Sequence, residues 1–190
     1  MIKAIACVLL FATSTLAAYD LHDYRVLATN KTSTMEKEMN EAAAAGFRFE
    51  AAMGGQTAFG GDEVLAIMSK ERSATNTGRY SYKLLATSKT STMQKELQQT
   101  GNEGFEYKDQ SVFKSTFGGD EVVVILELDK ENRGKTRYEY KLLATQKTST
   151  MQKELQEAGN EGFSFVGVTV SKTAFGGKEV VSILRKEIRQ

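Results

Sequence analysis

Leu27 to Met39 reads LATNKTSTMEKEM, Leu85 to Leu97 reads LATSKTSTMQKEL, and Leu143 to Leu155 reads LATQKTSTMQKEL. A second phrase keeps step with the first: AFGGDEV from Ala58, TFGGDEV from Thr116 and AFGGKEV from Ala174. Met35, Met93 and Met151 are spaced by 58 (93 minus 35, 151 minus 93), and Phe59, Phe117 and Phe175 share that spacing. A fixed period of this length marks stacked supersecondary units, each unable to bury its own apolar face.

The middle copy gives the unit. Tyr80, Tyr82, Leu84 and Ala86 alternate with Ser81, Lys83, Leu85 and Thr87, and a period of two with aromatic and aliphatic residues predicts a strand. Met93, Leu97 and the Thr100-Gly101 pair then recur at helical spacing. Ser91 with Gln94 three residues on, matched by Ser33/Glu36 and Ser149/Gln152, predicts a capping box at the helix start. Gly104, with Gly46 and Gly162 in the other copies, predicts a left-handed helix end. Phe105 and Tyr107 open a second strand running to about Lys114. In the third copy the apolar phase switches from Phe163 and Phe165 to Val166, Val168 and Val170 across Gly167, which predicts a bulge. Paired glycines after Phe117 predict a hairpin connection, and Val122 to Leu128 a buried third strand. Lys130 to Thr136 reads as a linker.

The expected fold is therefore α+β: three tandem β-α-β-β repeats, each a three-stranded antiparallel sheet of order 1-3-2 with one helix on a face. The expected boundaries are 19–78, 79–136 and 137–190. A unit this small buries only about 60% of its unfolded surface, so the three are expected to cover one another in one compact body.

Residues 1–18 read as a cleaved secretory leader: Lys3, an apolar run from Ala4 to Ala12, and small residues at Ala17 and Ala18. The run is too short to span a bilayer, which needs about 20 residues. The expected location is periplasmic or extracellular, with no membrane insertion after cleavage. Cys7, the only cysteine, leaves with the leader, so no disulfide is expected. The chain carries 25 basic and 24 acidic residues, and removal of Lys3 balances them. Interspersed, balanced charge excludes the basic face that a nucleic-acid partner requires.

The strand Tyr-x-Tyr-Lys-Leu-Leu (Tyr80 to Leu85, Tyr138 to Leu143), the Lys-Glu-Leu helix and the turn Gly-Asn-Glu-Gly-Phe (Gly101 to Phe105, Gly159 to Phe163) resemble a small bacterial domain-of-unknown-function family, number four-one-seven-seven. The resemblance covers all three repeats and implies a strand–helix–strand–strand fold; the family carries no established activity. It usually has tryptophan where Phe105 and Phe163 stand, and copy one weakens the turn to Ala-Ala-Ala-Gly-Phe. Dodecins are similar in topology only. They hold flavin on a tryptophan, and this chain has none, so no cofactor is expected.

Little in the sequence points to chemistry. His22 is the only histidine, too few for a metal cluster or repeated nucleophile–histidine pairs. FGGDEV lacks the spacing of a phosphate loop. The Asp62/Glu63 and Asp120/Glu121 pairs become Lys178/Glu179 in copy three, as expected of solvated strand ends. No catalytic or metal residues are expected.

Two binding candidates stand out. Lys31-Thr32-Ser33, Lys89-Thr90-Ser91 and Lys147-Thr148-Ser149 set a cation and hydroxyls beside helix N-termini, which favour anions. Phe59, Phe117 and Phe175 at the hairpin tips are a candidate contact surface for a partner. The leading expectation is an exported, non-enzymatic binding or self-assembly module whose partner is itself or another exported protein. The alternative is a binder of small anions or acidic glycans at the three helix starts.

Overall fold

The computed structural model describes residues 20–57, 61–75, 77–114, 120–172 and 177–189. The leader and the tips Phe59, Phe117 and Phe175 lie outside them. Unit 1 comprises β1 (His22–Thr29), α1 (Thr32–Ala44), β2 (Arg48–Thr57) and β3 (Gly61–Glu71). Unit 2 comprises β4 (Tyr80–Thr87), α2 (Thr90–Asn102), β5 (Glu106–Lys114) and β6 (Asp120–Asp129). Unit 3 comprises β7 (Thr136–Thr145), α3 (Thr148–Asn160), β8 (Ser164–Lys172) and β9 (Lys178–Arg189). Each unit is an antiparallel sheet with its third strand in the middle: β1-β3-β2, β4-β6-β5 and β7-β9-β8. The order 1-3-2 and the α+β class are as the sequence predicts. No described helix is long and apolar enough to cross a membrane.

The helices form because apolar residues recur on one stripe, as with Met35, Met39, Ala42 and Ala43 of α1, all buried. All three end alike. Gly46, Gly104 and Gly162 take φ of 92°, 92° and 88°, and the next residue, Phe47, Phe105 or Phe163, donates its N–H back to Ala42, Thr100 or Ala158. This closure satisfies carbonyls that a helix end would otherwise leave open. The bulge expected at Gly167 is present between Phe165 and Gly167, and it recurs between Phe49 and Ala51 and between Tyr107 and Asp109.

The capping box is a correction. The N-caps are Lys31, Lys89 and Lys147, with no side-chain cap bond, and each helix starts at the threonine before Ser33, Ser91 or Ser149. The entering turn is held from upstream instead: Thr29, Thr87 and Thr145 hydroxyls accept the N–H groups of Lys31, Lys89 and Lys147 at 3.2 Å. In units 1 and 2 the acid or amide that a box would reserve for its own helix reaches the next unit.

The units stack in order, and the two large cores straddle their boundaries. Tyr82, Leu84, Val123 and Ile125 of unit 2 join the core of Met35, Met39, Val64 and Met68 in unit 1. Tyr140 and Ile183 of unit 3 join the core of Met93, Leu97, Val124 and Leu126 in unit 2. Strand β6 is thus buried on both faces, even residues under its own helix and odd residues over unit 1. Burial of a side chain such as Ile125 stabilises by about 1.5–3 kcal/mol, so a large part of unit 2's stability is supplied by its neighbour. Unit 3 keeps the thinnest core, Ala158, Phe163 and Leu184.

Candidate functional site

A dense set of part-buried polar contacts lies at the joint between successive units, built twice from corresponding positions. Strand β4 is a sheet edge, and its outward N–H and C=O groups need partners. Asn40 of α1 supplies them to Tyr82: its Nδ2 donates to the Tyr82 carbonyl and its Oδ1 accepts the Tyr82 N–H, both at 2.9 Å. Glu36 Oε2 accepts the Leu84 N–H at 2.8 Å. At the second joint Gln94 donates to the Tyr140 carbonyl and accepts the Leu142 N–H, both at 2.8 Å, while Gln98 accepts the Tyr140 N–H at 3.1 Å. The helix side chains therefore act toward the next edge strand as another strand would.

A tyrosine plugs each joint. The Tyr82 hydroxyl accepts the Phe49 N–H at 2.8 Å, beside the β2 bulge, and donates to Glu127 at 2.8 Å. The Tyr140 hydroxyl accepts the Tyr107 N–H at 2.6 Å and donates to the Phe105 carbonyl at 3.0 Å. Desolvation holds both phenols far above the usual tyrosine range. Close approach at the second joint needs Gly101, where an added Cβ would collide with the Tyr138 carbonyl and stand 2.9 Å from the Tyr140 ring.

Charge labels the two joints with opposite sign. Arg48 of unit 1 meets the buried Glu127 of unit 2 at 2.8 Å, with Lys108 at 3.7 Å. Glu106 of unit 2 meets Arg185 of unit 3 at 2.5 Å. The hydrogen bond from Arg48 to Glu127 raises the guanidinium further above its usual range. Nearby, where the three units meet, Arg48, Glu106, Glu127, Asp129, Tyr138 and Glu187 line a cavity of about 180 Å³. Among the described residues no three His, Cys, Asp or Glu side chains converge as metal ligands would.

The sequence candidates fare differently. Lys31, Lys89 and Lys147 are exposed at their helix starts, and no described hydrogen bond or ion pair links one start to another. At the second start Thr90 donates its hydroxyl proton to Glu179 of unit 3 at 2.6 Å, so an acidic side chain already stands there. In the sequence Tyr82, Glu36, Gln94 and Gly101 announce only their own strand or helix, and nothing local joins them across units. A signal for the joint existed: position Arg48/Glu106/Ser164 and position Ser69/Glu127/Arg185 change charge from copy to copy, and so does position Glu50/Lys108/Val166 beside them.

No family model, no curated protein and no solved structure matches the chain. The resemblance to family four-one-seven-seven is neither borne out nor excluded by this.

Proposed function

We propose that this is an exported, non-enzymatic module that works by binding or assembly through surfaces like those between its own units. The observation that carries the reading is the pair of unfinished end faces. On unit 1, Tyr24 and Val26 are exposed on the β1 side of the sheet, and their cross-strand partners Ser69 and Ile67 place them on one face. On unit 3, Phe165, Val168 and Val170 are exposed along β8. Contiguous exposed apolar residues of this kind mark interaction surfaces. The leader-like residues 1–18 support export, with periplasmic or extracellular placement. Sedimentation of the natively processed protein across a wide concentration range tests the assembly form: mass rising with concentration is expected, and a strict monomer throughout removes it.

The helix-start reading, a small anion or acidic glycan beside Lys31, Lys89 and Lys147, has exposed lysines in its favour and the Glu179 carboxylate at Thr90 against it. Replacing the three lysines by alanine is expected to abolish any thermal shift produced by sulfate; an unchanged shift rejects that site.

A further inference from the structure

We propose that unit 3 of one molecule receives unit 1 of a second copy, head to tail, through the same joint that the chain already makes twice within itself. This rests on the assembly reading above and names its partner, its faces and its register.

Each half of the joint is present and unused at one end. The plug is Tyr24, equivalent to Tyr82 and Tyr140: it is 66% exposed where they are 3% and 2% exposed. The face around it repeats the buried one. Val26, Leu65 and Ile67 occupy the positions of Leu84, Val123 and Ile125, and none of the three is buried. Met53, opposite Leu65, is exposed as well.

The socket is on unit 3. Phe165 stands where Phe49 and Tyr107 donate their N–H groups to the plug hydroxyls, and it is 53% exposed against their 6% and 7%. Met151 and Leu155 replace the fully buried Met93 and Leu97 and are only half-buried. Gln152 and Gln156 of α3 hold the places of Gln94 and Gln98. Gln156 is braced on Asn160 at 3.2 Å as Gln98 is braced on Asn102 at 2.9 Å, so the clamp is set without its strand. Gly159 completes the pattern. Its twin Gly101 is required by contact with Tyr138 and Tyr140, whereas nothing lies within 4 Å of a Cβ at Gly159. A glycine inside a helix costs about 1 kcal/mol relative to alanine, a cost with no return in the single molecule and a clear one against an incoming strand.

The charge labels agree. The tail residue equivalent to Arg48 and Glu106 is Ser164, and the head residue equivalent to Glu127 and Arg185 is Ser69. Ser69 donates to the Glu50 carboxylate of its own unit at 2.5 Å, so the head presents a hydroxyl-bonded carboxylate to a neutral serine, and no like charge stands opposite it. Such a contact is heterologous, so the product is a ring if the rotation closes and a filament if it does not.

The test uses two blocking variants of the natively processed protein, Val26→Glu for the head and Gly159→Arg for the tail. Both positions are exposed, and circular dichroism with thermal melting checks that each variant folds. Each alone is expected to raise the association midpoint by more than about tenfold and to sediment as a monomer. Mixed together, they retain one good head and one good tail and are expected to form a one-to-one dimer and nothing larger. Wild-type protein that assembles while either variant keeps its full mass, or variants that fail to recombine on mixing, would overturn the head-to-tail joint and leave assembly by another face standing. A wild type that stays monomeric throughout overturns both.

Discussion

Tyr82 shows how much one residue depends on its neighbour rather than on its own unit. Its hydroxyl satisfies a backbone N–H beside a bulge in unit 1 and a carboxylate in its own sheet. Removing it by Tyr82→Phe orphans the buried Phe49 N–H and is expected to cost about 2 kcal/mol. The same change at the exposed Tyr24 should leave the melting temperature of the dilute protein unaltered. The glycine pair gives a sharper contrast. Gly101→Ala must displace the Tyr138 backbone and should destabilise, whereas Gly159→Ala should stabilise the dilute monomer by about 0.5–1 kcal/mol; parallel urea titrations measure both. At this scale the structure is legible in the sequence only in part. Gly46, Gly104 and Gly162 announced the helix ends because a left-handed closing residue has few chemical solutions. Ser33, Ser91 and Ser149 misled, because a capping box is a local pattern and the Glu36 and Gln94 groups it would use are claimed by a strand more than forty positions away.

Among the elements, the helix is both the cover of its own sheet and the clamp on the next. Exposed strand edges invite unwanted pairing, and α1 and α2 close the edges β4 and β7 through Glu36, Asn40, Gln94 and Gln98. The ion pairs then fix the order of stacking. Unit 1 placed on unit 3 would set Arg48 against Arg185, and unit 2 placed on another unit 2 would set Glu106 against Glu127. Arg48→Glu should therefore cost about 3 kcal/mol by stranding the buried Glu127, and the double change Arg48→Glu with Glu127→Arg should recover most of it; a double mutant no better than the single one would count against pairing as the cause. A second ion pair links stability to pH. The hydrogen bond from Arg79, at 2.6 Å, holds the Asp129 carboxyl below its ordinary value. A depressed folded-state pKa contributes stability that is complete above the unfolded value of about 4 and is lost as pH falls below it. Arg79→Ala should flatten the acid limb of the stability curve and leave its slope near neutrality unchanged, as read from melting temperatures between pH 3 and pH 7.

For the whole molecule, the architecture was legible because a fixed period repeats every local signal three times, and alternation, helical spacing and glycine punctuation agree. Which faces meet was not legible. The three copies carry nearly the same apolar pattern, so Leu84, Val26 and Leu142 look alike although the first is buried, the second exposed and the third half-buried. Only position in the stack separates them, and a period carries no information about position. The consequence is a body whose stability is shared: Val123 and Ile125 lie over unit 1, and Ile183 over unit 2.

Native-state amide exchange at three equivalent sites reads that sharing directly. In dilute protein the Phe49 and Tyr107 amides, which donate to the tyrosine plugs of units 2 and 3, are expected to exchange only through global unfolding. The Phe165 amide, with no plug, is expected to exchange by local opening and much faster. Equal protection at all three, or rapid exchange at all three while the sheets stay intact, would mean that the units do not complete one another.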